Sequence, residues 1–188
     1  MHAASKMIVY GDFTVPVVER EWLRVPKQLP YRKTYLLKPG QQWHDAPVDL
    51  ASSLSEWYVQ LPDGPVPSGA VAARELLAEG ASLALWTECY GGGRVVFMSP
   101  DLTCVEATGE LGDMLRAIKA ANNNKWAGLP DAIGMFPDGR VVMRDAKLAG
   151  KDKISATQHA FARTAAQLFP GRVEFGVVEW GRRTANET

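Results

Sequence analysis

The sequence predicts an α/β or α+β domain on a mixed β-sheet flanked by helices, and three observations carry that prediction. Two β-like runs, Asp131–Phe136 and Arg140–Leu148, are joined by Pro137-Asp138-Gly139, in which proline presets φ and Asp-Gly tolerates a tight turn. A helical run from Ser155 to about Phe169 follows, with Phe161, Ala165, Leu168 and Phe169 on one face, and Pro170-Gly171 ends it. Val173–Trp180 then reads as a final strand, and a helix between two strands allows them to pair in parallel.

Upstream, Met7–Val18 reads as one extended strand and Leu50–Gln60 as a short helix or strand. Seven of the twelve prolines fall between Pro26 and Pro67, which excludes long regular elements there. Residues 1–67 therefore read as an irregular, proline-rich N-terminal extension packing on a core formed by residues 68–188. Within that core, Val71, Leu76 and Leu77 mark a short helix ending near Gly80, where a missing Cβ suits a helix C-terminus. Leu83–Cys89 and Arg94–Met98 read as a hairpin turning at Gly91-Gly92-Gly93, a run without the Lys-Ser/Thr of a phosphate-binding loop. Leu111, Met114, Leu115 and Ile118 stand at helical spacing over Glu110–Ala121, and Asn122-Asn123-Asn124 breaks that helix.

At 188 residues, 46% apolar and 22% charged, the chain excludes disorder and collagen-like structure, and it is long enough to bury a core without staples. Two cysteines, Cys89 and Cys104, make neither a disulfide framework nor a four-cysteine metal site, and they read as core thiols in a reducing compartment. Arg74, Glu75 and Glu79 interrupt the most alanine-rich stretch well short of the roughly 18 apolar residues of a membrane span. The N-terminus carries no signal-peptide h-region, so a soluble cytoplasmic protein is expected. Basic and acidic residues balance at 21 each, yet Arg140 to Arg183 holds nine basic residues, Arg144 among them, against four acids. Arg20 to Lys38 holds six more against Glu21 alone. Such patches face either a polyanion or solvent.

The period of two puts Asp145 and Lys147 on one face of their strand with Ala146 pointing away, and pairing about the Pro137–Gly139 turn brings Asp131 beside them. Two carboxylates and an ammonium then converge. Hard divalent cations such as Mg²⁺ take oxygen ligands of this kind, and the Ala146 backbone carbonyl is a further candidate. A lysine there can orient or help deprotonate an attacking water and offset charge on a phosphorane-like transition state. The competing reading of Asp-x-Lys is a surface ion pair on an edge strand.

Gly128-Leu129-Pro130-Asp131, then fourteen residues to Asp145 and sixteen to Lys147, then Lys151-Asp152-Lys153-Ile154-Ser155 and Gln158, resembles the PD-(D/E)xK nuclease superfamily and within it the VRR-NUC group. The resemblance spans roughly residues 106–181 and implies a restriction-endonuclease-like core. It implies Asp131 and Asp145 as metal ligands, Lys147 as the catalytic lysine, and Gln158 beside the site at the helix start. Aspartate stands at position 145 where relatives more often carry glutamate. Mg²⁺ is the implied cofactor, with Mn²⁺ able to substitute, and DNA the implied substrate. The family also places an acid on the helix before the G-x-P-D strand. Glu110 is the first candidate, Glu106 the second and Glu75 a distant third; each is equally a carboxylate favoured by a helix dipole. Gln158 has a second reading, because Ser155-x-x-Gln158 is a capping box, and one glutamine can serve both roles.

Lys151 and Lys153 lie where phosphate contacts are needed, with Arg144 as a third nucleic-acid-binding candidate. His159 stands beside Gln158 as a substrate contact or an ordinary helix residue, and His44-Asp45 reads as loop. Trp22, Tyr31 and Tyr35, interleaved with Arg24, Lys27, Arg32, Lys33 and Lys38, suit either base stacking or packing on the core. The expected activity is metal-dependent hydrolysis of DNA phosphodiester bonds, at flaps or junctions as relatives suggest. The alternatives are a catalytically silent member of the fold that binds nucleic acid or protein, and a nuclease toxin. Candidate partners are DNA, a homodimer mate and, for a toxin, an inhibitor protein; no membrane partner is expected.

Overall fold

Alternation along one strand, β11 (Val141–Leu148), organises the molecule. Val141, Met143, Asp145 and Lys147 project to one side of the sheet, and Val142, Arg144, Ala146 and Leu148 to the other. Both sides are covered, so each set of apolar residues is buried in its own core layer. The computed structural model describes residues 6–23, 31–32, 37–43, 48–49, 58–62, 64–90 and 94–183.

The chain forms an eight-stranded mixed sheet in the order β1–β2–β12–β11–β10–β7–β8–β9. The strands are β1 (Met7–Tyr10), β2 (Phe13–Leu23), β7 (Leu83–Tyr90), β8 (Arg94–Met98), β9 (Cys104–Val105), β10 (Ala132–Met135), β11 and β12 (Val173–Arg183). β10 is antiparallel to both β7 and β11, whereas β12 runs parallel to β11 and to β2. Two small ladders, β3 (Tyr31–Arg32) with β4 (Val48–Asp49) and β5 (Tyr58–Leu61) with β6 (Gly64–Pro67), stand apart from it. On one face lies α1 (Ser68–Ala78), whose Ala70, Ala73 and Leu76 belong to a layer with Trp86, Val142, Leu148 and Trp180. On the other lie α2 (Gly109–Ala121) and α3 (Ala156–Leu168), which set Leu111, Leu115, Ile118, Phe161 and Ala165 against Leu85, Ile133, Met143 and Phe175. The molecule is thus mixed α/β, as expected, with the parallel β11–α3–β12 unit in place.

From α1 onward every predicted element sits within a few residues of its expected bounds, and the short β9 is an addition to them. Gly80 closes α1 at φ +103°, donating its N–H to Leu77, and Asn123 and Asn124 take left-handed conformations after α2. The N-terminal stretch departs from expectation. Met7–Val18 is not one strand but two, turning at Gly11-Asp12, and the resulting hairpin is an integral part of the main sheet through the β2–β12 pairing. Gly11 adopts φ +65°, and a Cβ there would stand 2.9 Å from that of Ala162, so the turn lies directly on α3. Trp22 is buried against Trp180, with ring centroids 6.0 Å apart, which is the packing alternative for that aromatic. The side chains of Arg24, Lys27, Tyr31, Arg32, Lys33 and Tyr35 lie outside the described residues, as do His44-Asp45, residues 50–57 and Gly91–Gly93. Cys104 is a buried free thiol. Among the described residues, no helix is long and apolar enough to cross a membrane.

Candidate active site

The Pro137–Gly139 turn sets Ala132 opposite Arg144, which leaves Asp131 at the open end of the hairpin beside Asp145 and Ala146. Thr87 of β7 holds that end in place: its N–H donates to the Asp131 carbonyl at 2.9 Å and its hydroxyl to the Pro130 carbonyl. Asp131 Oδ2 accepts the Ala146 N–H at 2.8 Å. In a strand the N–H and C=O of one residue project to the same side, so the Ala146 carbonyl leaves β11 on its β10 side.

Asp145 occupies a core-facing position of β11 and is 0% exposed. A bare carboxylate there would be prohibitive, so its partners are structural necessities. The Tyr10 hydroxyl donates to Oδ2, the Gln158 side-chain amide donates to Oδ1, and the Lys147 ammonium stands 3.4 Å from Oδ1. Gln158 at the same time completes a capping box: its N–H donates to Ser155 Oγ at 3.2 Å and its Oε1 accepts the Ser155 N–H at 2.9 Å. Both readings of Gln158 are therefore present in one side chain. Gly128 seats the loop before Asp131 on this helix start. It has φ +82°, and any Cβ would overlap the Thr157 carbonyl group.

Asp131 keeps some exposed surface yet is densely surrounded by protein. Burial, reinforced by the Asp145 charge, pushes its carboxyl up to about 7, against the pull of Lys147 and the Ala146 N–H. Burial likewise raises Asp145, and Lys147, Tyr10 and Gln158 pull it back only in part. Tyr10 is raised by its own burial and by the neighbouring Asp145 charge. Two carboxylates crowded with one ammonium form a site whose ionised state asks for more positive charge.

Among the described residues, no group of three or more His, Cys, Asp or Glu side chains is placed to hold a metal ion. What the hairpin end offers is two carboxylates and a backbone carbonyl. That all-oxygen set fits Mg²⁺, which keeps several waters and needs only one or two carboxylates.

The remaining candidates fall elsewhere. Glu110 is exposed and ion-paired to Arg172 at 2.6 Å, and Arg172 also donates to the Gly139 carbonyl, so Glu110 sits at the turn end of the hairpin, away from Asp131. Glu106 follows β9, which three intervening strands separate from β11. Glu75 lies on α1, across the sheet from Asp145, paired to Arg20 at 2.9 Å. Arg144 also faces α1, where both guanidinium arms grip Glu79 at 2.7 and 2.5 Å. Lys151 and Lys153 are exposed in the loop after β11. Asp152, exposed between them, accepts the Leu148 N–H at 2.9 Å and adds negative charge near Asp131.

Sequence reasoning missed Tyr10, Asp152 and the docking role of His159, whose Nδ1 accepts the Gly11 N–H at 2.9 Å. Tyr10 and His159 come into place through the β2–β12 pairing and the turn–helix contact, neither of which leaves a local pattern, whereas Asp152 bonds locally to the Leu148 N–H. A run of β-residues ending in Tyr10-Gly11-Asp12 was the one available signal, a turn directly after a buried tyrosine. Comparison with known proteins returns no matching family model, no matching curated protein and no matching solved structure.

Proposed function

We propose that the protein is a divalent-cation-dependent phosphodiesterase acting on DNA, built on a restriction-endonuclease-like core. The observation that carries this reading is the convergence of Asp131, Asp145, the Ala146 carbonyl side and Lys147 at one hairpin end, with both acids pushed toward neutrality. Asp131, Asp145 and the Ala146 carbonyl would hold a cation such as Mg²⁺, which would supply charge neutralisation and Lewis-acid activation of the phosphate. Lys147 is 15% exposed, close enough to the surface to meet substrate while touching Asp145. Its ammonium orients the attacking water and offsets charge as the new P–O bond forms and the ester P–O bond breaks. Gln158 and Tyr10 hold Asp145 in one orientation, and Gln158 does so from a capped helix start that has little freedom to shift.

The test is incubation of the full chain with labelled linear, flap and four-way-junction DNA, with and without Mg²⁺ or Mn²⁺. Cleavage that needs the metal and disappears in Asp131→Asn and in Asp145→Asn is the expected result. Parental activity in either variant would remove the site assignment. One observation favours a second reading, a silent member of the fold: both oxygens of Asp145 already have protein partners, as in a purely structural buried carboxylate. In that case no metal-dependent cleavage occurs and both variants lose only stability.

A further inference from the structure

Next to the carboxylate pair, on the α3 side of the sheet, lies a cleft of about 290 Å³. Its lining divides by chemistry. Ile8, Val17 and Val177 form an apolar surface across β1, β2 and β12, with Val17 directly opposite Val177 in the parallel pairing. Lys6, Lys147 and Lys153 line the same cleft, Lys6 paired to Glu179 at 2.6 Å and Lys147 standing 3.4 Å from Asp145, while Lys153 is exposed. Glu179 and Asp152 are the acids that line it, so the lysines outnumber them by one. His159 completes the wall, and a neutral imidazole that accepts at Nδ1 carries its hydrogen on Nε2 as a donor.

We propose that this cleft binds one unpaired nucleotide of a nucleic-acid strand, its phosphate toward Lys147 and Lys153 and its base on the Ile8–Val17–Val177 surface. The inference deepens the phosphodiesterase reading by naming the substrate class, and it rests on that reading for the strand. Three features of the cleft decide it. An apolar surface beside Lys147 and the exposed Lys153 matches a ligand with one flat, weakly polar end and one anionic end. At about 290 Å³ the volume falls just below the roughly 300–1,000 Å³ typical of small-ligand sites, room for one nucleotide and not for a base pair. Lys147 belongs to both the cleft and the carboxylate pair, so a phosphate held there lies beside Asp145 while its base occupies the cleft.

Calorimetric titration of the metal-free full chain with thymidine monophosphate, thymidine and inorganic phosphate tests this without any cleavage. Thymidine monophosphate is expected to bind about tenfold or more tightly than either fragment, because only it engages both surfaces. Lys153→Glu, a change at an exposed loop position, is expected to weaken that binding about tenfold and to leave thymidine unaffected. A single-stranded oligothymidylate should displace the mononucleotide, and a closed circular duplex should not. Mononucleotide binding no tighter than phosphate, indifference to Lys153→Glu, failure of the oligonucleotide to compete, or equal competition by the closed duplex would each overturn the proposal. Mononucleotide binding with no cleavage of any DNA supports the cleft and counts against the hydrolytic reading; cleavage without it does the reverse.

Discussion

Lys147 and Tyr10 both touch the Asp145 carboxylate, and their expected losses differ in kind. If Lys147 acts on the transition state, Lys147→Ala lowers single-turnover cleavage by about a hundredfold or more, the scale of one electrostatic group, with little change in DNA binding. Unchanged cleavage would reject that role. The same variant leaves two crowded carboxylates with less opposing charge, so its melting temperature without Mg²⁺ also falls. Tyr10→Phe keeps the ring packed against Phe175, at a centroid distance of 5.0 Å, and removes only the hydroxyl. A buried carboxylate oxygen then loses its donor, which costs about 1–3 kcal/mol in the metal-free protein. Urea denaturation reads this directly, and an unaltered midpoint would show that the contact contributes nothing.

At the level of elements, the loop before β10 depends on a close approach that only glycine permits. Gly128→Ala places a side chain at φ +82°, worth about 1–2 kcal/mol in backbone strain before any clash with Thr157 is counted. The expected outcome is a clear loss of stability together with a displaced Asp131, read by denaturation and by loss of metal-dependent activity; a neutral variant would mean that the loop does not rest on α3. This contact also shows what was legible in the sequence. Gly128, Asp131, Asp145, Lys147 and Gln158 all lie within one stretch of strand, turn, strand and helix, where local periodicity and turn chemistry determine which side chains meet. The capping box was readable for the same reason. Tyr10 was not, because its meeting with Asp145 depends on a strand pairing between opposite ends of the chain. Glu110 misled because an acid at a helix start is favoured by the dipole whatever its function, and here a distant arginine, Arg172, holds it.

For the molecule as a whole, the carboxylate pair sets how stability responds to pH. Asp131 rises from the 3.8 of an isolated aspartate to about 7, and Asp145 shifts in the same direction. The folded state therefore binds more protons than the unfolded one between those values. The stability that the neutral acids contribute is complete below about pH 4 and is lost as pH rises toward 7, by up to about 1.4 kcal/mol per pH unit for each group. Glu79 and Asp138 are held below their usual range by Arg144 and by the Arg140 N–H, so their protonation opposes this trend in stronger acid. Thermal melting of the metal-free protein should accordingly be higher at pH 5 than at pH 8, with Mg²⁺ raising it at pH 8 and changing it little at pH 5. A flat profile would mean that the two acids are not coupled as the geometry requires. The parallel pairing of β2 with β12 has a consequence in time. Val17 meets its neighbour Val177 only after everything between them has been synthesised. Until then β2 presents an unpaired edge, and Tyr10 has no settled sheet on which to meet Asp145. A long-range closure of this kind slows folding and exposes a sticky strand meanwhile. The meeting of Tyr10 with Asp145 is therefore a late event, set by when β12 docks and not by when either residue is made.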